Sequence, residues 1–207
     1  MNIIQYFRAM ARGLMFWRKP PVIGDATALA TFCAQQAAYM AQTNLYGYLR
    51  TRAGLQHFNL FNDKEFTALL RPARSRLVLI CLADLTLYAV AMLVKGGARE
   101  AQAEELAAAV FTQAVDMIAD ESLPSDDYQA ARDDFATALA QLDWAARASG
   151  AAFETSTNAL IKLAPIVDEV KQYDTEIVTN SMRFKWMGVR AELARRLDAP
   201  RLLASLP

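Results

Sequence analysis

The sequence predicts an all-α protein, a compact bundle of about six helices with a basic amphipathic helix at its N-terminus. Apolar residues recur every three to four positions along most of the 207-residue chain, which is the period of an α-helix. Asp, Asn, Gly and Pro stand at the positions where helices should begin and end. We find no repeat of 20–50 residues, which favours a bundle over a helical solenoid.

Length and composition indicate one domain with a short appendage. We divide the chain into residues 1–21, the amphipathic helix and its Pro-Pro linker, and residues 22–207, a single helical domain. Hydrophobic residues make up 54% of the chain and charged residues 21%, which excludes wholesale disorder. The 22 basic and 22 acidic residues cancel, so we expect no nucleic-acid surface. Cys33 and Cys81 form no CxxC motif and are expected to be buried, reduced thiols.

The N-terminal helix is the predicted contact with a membrane or a partner. Residues 1–24 hold four basic residues and no acid. Over residues 2–17 the apolar side chains share one stripe, the arginines lie elsewhere, and Lys19-Pro20-Pro21 ends the helix. Such a helix suits an anionic membrane surface, a groove of a partner, organelle targeting, or packing on its own domain. The predicted contact residues are Ile3, Phe7, Arg8, Met10, Arg12, Leu14 and Trp17.

The next helix should begin at Asp25, a good N-cap, and end near Arg52, with Gly54 as its C-cap. Asn62 or Asp63 should cap a further helix that Pro72 breaks or kinks.

Residues 76–94 form the longest apolar run, and Asp84 is the single acid within it. As a helix, the 18 residues from Leu77 to Val94 would be about 27 Å long, just short of a bilayer's hydrocarbon thickness. A central Asp costs about 2.5–3.5 kcal/mol on insertion, which offsets the apolar residues. The run is therefore expected to be a core helix that Gly96-Gly97 closes, with a membrane span as the alternative. A buried Asp needs a partner, and Arg50 or Arg52 is the first candidate.

Three further helical patterns follow. Residues 98–119 are amphipathic, residues 120–126 form a loop, and a helix should run from Ser125 or Asp126 to about Ala148. A short turn from Thr155 to Pro165 precedes the longest pattern, residues 166–198.

The apolar stripe of residues 166–198 comprises Ile166, Val170, Tyr173, Ile177, Phe184 and Met187. Asn180 and Ser181 interrupt it, which indicates either a polar network or an exposed patch. We predict a buried polar network around Asp84. Its members are Asp84, Tyr46, Tyr48, Arg50, Arg52, Tyr173, Asp174, Asn180 and Arg183.

Common catalytic and metal-binding patterns are absent from the sequence. A single histidine, His57, and two distant cysteines exclude a ferritin-like di-iron site and a structural zinc site. No phosphate loop, GxGxxG or GxSxG motif is present. We predict no cofactor, no metal and no catalytic residue, and a hydrolase that uses His57 as a base is the less favoured alternative.

Five short motifs carry a resemblance to a known family. They are LYGYLRTR at residues 45–52, LADLT at 82–86, DW at 143–144, YDTEIV at 173–178 and NSMRF at 180–184. Together they resemble a family of small uncharacterised bacterial proteins, over about residues 35–195. Some members of that family carry an esterase label, and the resemblance implies no specific catalytic residues.

These observations favour a non-enzymatic interaction or accessory protein. We expect a cytoplasmic protein, since no secretory signal is visible, that is peripheral to the inner membrane. Its partner would be the membrane surface or a membrane protein complex, and a homo-oligomer stays open. The alternative is a helical protein that binds a small molecule or a lipid.

Overall fold

The structure, a computed structural model, describes residues 20–206, apart from the side chains at 150 and 151. The predicted all-α class is confirmed within this range, whereas the predicted helix over residues 2–17 lies outside it. Six helices have ten residues or more, and shorter helical segments, at His57–Asn62, Trp144–Arg147, Asp168–Lys171 and Ala199–Ala204, lie between or after them. The six are α1 (Ala26–Ala53), α2 (Lys64–Lys95), α3 (Glu100–Ile118), α4 (Ser125–Ala140), α5 (Glu154–Leu163) and α6 (Thr175–Arg196).

Four helix ends lie where the sequence places them. The Asp25 carboxylate accepts a hydrogen bond from the backbone N–H of Ala28 at 2.8 Å and caps α1. The Asp63 carboxylate caps α2 in the same way, through the N–H of Phe66. Gly54, with a φ of 53°, ends α1, and Gly96 ends α2. Glycine suits the end of α1 because other residues rarely adopt a positive φ.

The central helix of the bundle is α2, which packs against α1, α3 and α5. By length and composition α2 could cross a membrane, but 78% of its most apolar window is buried inside the protein, as in a core helix. Cys33 and Cys81 are both buried and unpaired, which confirms that expectation.

Two predicted helix boundaries are wrong, and one of two alternatives at Pro72 is excluded. Pro72 does not break the helix, because it lies inside α2, where a proline removes a single backbone donor. The helix that begins at Ser125 ends at Ala140, and Asp143 caps a new turn by accepting from the N–H of Ala146 at 3.0 Å. The pattern over residues 166–198 divides into a short turn, Asp168–Lys171, and α6.

Helices α1 and α6 are antiparallel neighbours. At one end, Ile23 forms an isolated parallel bridge with Leu197, ahead of α1 and just after α6. Midway along the pair, the Lys185 Nζ donates to the Asn44 Oδ1 at 3.0 Å. At the other end, Tyr48 of α1 donates to Asp174, which precedes α6. These three contacts hold α6 along the length of α1.

Candidate interaction surface

The buried face of α6 consists of Met182, Trp186, Val189 and Leu193, with Thr179 at its start. Trp186 is 1% exposed, and its ring stacks on Phe153 with 4.2 Å between centroids. This second apolar stripe has the same helical period as the stripe of the sequence analysis. It takes the core position because it carries the bulky indole of Trp186, whose burial removes the largest apolar area from water.

The predicted apolar stripe therefore points to solvent. Tyr173, Ile177, Phe184 and Met187 are between 62% and 77% exposed, and Asn180 is exposed among them. Ile166 and Val170, ahead of α6, are half-buried. Of the two outcomes that the interruption by Asn180 and Ser181 left open, the structure shows the exposed patch.

Six of the exposed residues of α6 recur with a 3.5-residue period. We define the α6 seam as Ile177, Asn180, Phe184, Met187, Ala191 and Ala194, all of them exposed. Their spacing alternates between three and four residues, which is the spacing of the contact positions of a coiled coil. The side chains in the half of the α6 seam near Ile177 are large, whereas those in the half near Ala194 are small.

Beside the α6 seam runs an open groove of about 500 Å³. Gln36 and Tyr39 of α1 form one wall, and Phe184, Met187 and Gly188 form part of the other. Tyr39 is 53% exposed, so the apolar surface continues from α6 onto α1. A second helix laid along the α6 seam would contact both walls.

Charged side chains lie beside the α6 seam, and none of the seam residues is charged. Arg183 is exposed and makes no ion pair among the described residues. Glu192 pairs with Arg195 and with Arg196, both on α6 itself. Burial lowers the pKa of Lys185, whose ammonium group donates to Asn44. Apart from Asn180, the α6 seam is therefore an apolar strip, and most charged groups near it already have a partner.

Asp84 lies in the core, 2% exposed, and its partners differ from the predicted ones. Its Oδ1 accepts from the Arg147 Nη1 at 3.2 Å, and its Oδ2 accepts from the backbone N–H of Ser156 at 2.8 Å. Arg147 also donates to the carbonyl oxygen of Ala152 at 2.6 Å. The carboxylate thus holds the N-terminal turn of α5, where unpaired N–H groups favour negative charge.

The prediction that Arg50 or Arg52 pairs with Asp84 is wrong. Arg50 is exposed, and Arg52 binds Asp174 at the far end of α1. Arg147 is the residue that sequence reasoning missed. It lies in the short turn capped by Asp143. The sequence predicts one continuous helix to Ala148, and nothing in that helix indicates that Arg147 points into the core.

Burial raises the pKa of the Asp84 carboxyl, and the hydrogen bonds and charge of Ser156 and Arg147 partly oppose that rise. The arrangement accounts for both carboxylate oxygens of Asp84. Asp84 joins α2 to the turn that holds Arg147 and to the start of α5, which is a structural role.

A second polar cluster joins α1 to the start of α6. The Tyr48 hydroxyl donates to the Asp174 Oδ2 at 2.9 Å, and the Arg52 Nε donates to the same oxygen. Arg52 also donates to the carbonyl oxygen of Val170 at 3.2 Å. Burial, followed by the contact with Asp174, raises the pKa of Tyr48 to about 12.

The predicted single network is therefore two separate clusters, and several members belong to neither. Tyr46 is half-buried and stacks on Phe61 at 5.4 Å. The remaining predicted members are exposed, namely Arg50, Tyr173, Asn180 and Arg183.

His57 does not approach a catalytic partner in the described part of the chain. Its Nδ1 lies 2.7 Å from the carbonyl oxygen of Gly54, and its ring packs against Phe58. Ser156, the serine bonded to Asp84, donates its hydroxyl to the carbonyl oxygen of Phe153. Among residues 20–206, no group of His, Cys, Asp and Glu side chains is arranged to hold a metal ion.

The α6 seam is thus the feature for which the bundle itself offers no structural role. Comparison with known proteins adds no assignment: the chain matches no protein-family model, and neither the curated proteins nor the solved structures contain a significant match. The resemblance to the esterase-labelled bacterial family stays a prediction from the motifs.

Proposed function

We propose that this protein is a non-enzymatic interaction or accessory protein, peripheral to the cytoplasmic face of a membrane, that binds a helix of a partner along the α6 seam. The exposed line of Ile177, Phe184 and Met187 supports this proposal most directly. Contiguous exposed apolar side chains mark interaction sites because leaving them in water is costly. Their 3.5-residue spacing suits a helix rather than an extended peptide.

Residues 1–19 supply the membrane contact in this proposal. Their predicted apolar stripe would enter the headgroup region, and Arg8 and Arg12 would lie near anionic lipid phosphates. A peripheral contact is favoured over a spanning one because the long apolar helix α2 is mostly buried in the bundle.

Chemical crosslinking on intact native membranes, followed by detergent extraction and affinity capture, tests the partner site. The test variant is Phe184→Glu/Met187→Glu, which places two charges on the α6 seam. The matched control is Leu69→Glu/Met117→Glu, which changes two exposed apolar residues on α2 and α3. We expect a discrete set of membrane proteins with the wild type and the control that the seam variant loses. The same set with all three proteins would refute the seam as the binding site.

Sedimentation with anionic vesicles tests the membrane contact. Each basic residue near an anionic surface contributes about 1 kcal/mol, so Arg8→Glu/Arg12→Glu should weaken binding by about 30-fold or more. The control is Arg71→Glu/Arg99→Glu, two exposed arginines elsewhere, which should bind as the wild type does. Equal loss in both variants would mean that general charge, and not the N-terminal segment, governs binding.

A further inference from the structure

We propose that the α6 seam is occupied, in the absence of a membrane, by residues 3–17 of the same chain, and that an anionic membrane surface removes them. The inference rests on the proposed function, because it names what blocks the partner site and what opens it. The surface described above and the sequence of residues 1–19 carry it together.

The first support is where the chain meets α6. The carbonyl oxygen of Pro21 accepts from the Arg196 Nε at 2.9 Å, and Ile23 forms its bridge with Leu197. Pro21 is therefore held beside the C-terminal end of α6. The bridge is parallel, so residues ahead of Ile23 approach from the side on which α6 itself lies.

The second support is a match of spacing. The predicted stripe of the N-terminal segment runs through Ile3, Phe7, Met10, Leu14 and Trp17, with steps of four, three, four and three residues. The α6 seam from Asn180 to Ala194 has the same four steps in the same order. Both stretches contain 15 residues, about 21 Å as a helix from first to last.

The register follows from this match and from the direction of the bridge. A parallel pairing at constant offset puts Phe7 beside Phe184 and Met10 beside Met187. Trp17, the bulkiest residue of the segment, then meets Ala194, one of the smallest of the α6 seam. Pairing large with small side chains lets two helix faces interdigitate.

The linker is long enough for this register. Five residues separate Trp17 from Ile23, and an extended chain covers about 3.3 Å per residue, so they reach about 16 Å. Ala194 lies less than one helical turn before Leu197, which Ile23 already contacts. Lys19-Pro20-Pro21 can therefore lead the segment back onto α6 without opening the bundle.

The membrane and the α6 seam compete for residues 3–17, because both would bind the same apolar stripe of that segment. A helix that buries Phe7, Met10 and Trp17 against α6 cannot insert them among lipids at the same time. The arginines at positions 8 and 12 lie off the stripe, so they remain available to attract anionic lipid. Membrane binding would thereby expose the α6 seam to a partner helix at the membrane surface.

Disulfide trapping in the full-length chain tests the inference. The test protein carries Met10→Cys and Met187→Cys, and the control carries Met10→Cys and Met117→Cys. Met117 is a suitable control because it is an exposed methionine on α3, off the α6 seam, whose sulfur lies 4.0 Å from Thr31 near the start of α1. The native Cys33 and Cys81 are buried, and burial raises the pKa of both thiols, so they should not compete.

Under mild oxidation with diamide, we expect an intrachain disulfide in the test protein at a rate at least tenfold above the control. Anionic vesicles should slow it at least fivefold, whereas neutral vesicles should not. Equal rates in the two proteins, a covalent dimer as the main product, or no slowing by anionic vesicles would each overturn the inference. A second pair, Phe7→Cys with Phe184→Cys, repeats the measurement one helical turn away.

Disulfide trapping and partner capture can fail independently, so the two proposals are tested separately. If trapping fails while Phe184→Glu/Met187→Glu still abolishes capture of membrane proteins, the α6 seam binds a partner but not residues 3–17. If trapping succeeds while capture is unaffected by that variant, the segment docks and the partner site is elsewhere.

Discussion

Phe184 and Trp186, two residues apart on α6, point in opposite directions: Phe184 is 74% exposed, whereas Trp186 is 1% exposed and stacks on Phe153. A helix rotates by about 200° over two residues, so one face of α6 completes the core and the other presents an aromatic ring to solvent. This relationship separates the residues that stabilise the bundle from those available for binding.

Substitutions on the two faces of α6 should therefore differ in their cost to stability. Trp186→Ala removes a buried aromatic ring and should lower the free energy of unfolding by about 3–5 kcal/mol. Phe184→Ala should lower it by at most about 1 kcal/mol, because the bundle leaves its ring exposed and only the proposed docking of residues 3–17 would cover it. Urea denaturation followed by circular dichroism measures both. Comparable losses in the two variants would mean that Phe184 also packs in the core.

Asp84 should be a structural residue whose removal strands Arg147. Breaking a buried ion pair by removing one partner costs about 3–5 kcal/mol, and we expect this loss for Asp84→Ala. Asp116→Ala is the control because Asp116 is 65% exposed in its pair with Arg132, and it should cost at most about 1 kcal/mol. The double variant Asp84→Leu/Arg147→Met should lose less than Asp84→Ala alone, since no charge stays unpaired. A cost for Asp84→Ala as small as that of the control would contradict its burial.

The raised pKa of Asp84 predicts the sign of a pH effect. The carboxyl of an unfolded chain has a pKa of about 3.9, and burial raises it in the folded protein. Between these two values the folded state binds more protons, so the contribution of Asp84 to stability is largest below about pH 3.9 and decreases as the pH rises through the window.

Asp84→Asn, which cannot titrate, isolates that effect. The free energy of unfolding of the wild type minus that of Asp84→Asn should fall as the pH is raised from about 4, and level off once Asp84 is ionised in the folded state. Denaturation at intervals of one pH unit up to pH 7 measures this difference. A difference that grows with pH would show that Arg147 and Ser156 outweigh burial and lower the pKa.

Helix ends were predictable because their signals are local. Asp25, Asp63 and Gly54 act on backbone groups within a few residues of themselves, so the sequence alone places them. The orientation of α6 was not predictable in the same way. Its two apolar stripes have the same period, and only packing against Phe153, α1 and α5 decides which is buried.

The partner of Asp84 was missed for a related reason. Arg147 lies 63 residues away in the sequence, and its inward direction depends on the turn that Asp143 caps. Helical phase placed Asp84 among apolar residues of α2 but carried no information about which arginine reaches it. Helical phase also could not show that Tyr48, Arg52 and Asp174 form one cluster and that Asp84 belongs to another.

Site-specific photo-crosslinking in intact cells tests most directly whether the α6 seam is a binding surface. A photoreactive residue, p-benzoylphenylalanine, replaces Phe184 in one protein and Leu69, an exposed residue of α2, in the other. We predict discrete adducts from position 184, either within the chain or to a membrane-associated partner, and none from position 69. No adduct at position 184, or the same adducts from both positions, would contradict the proposal that this face of α6 binds another helix.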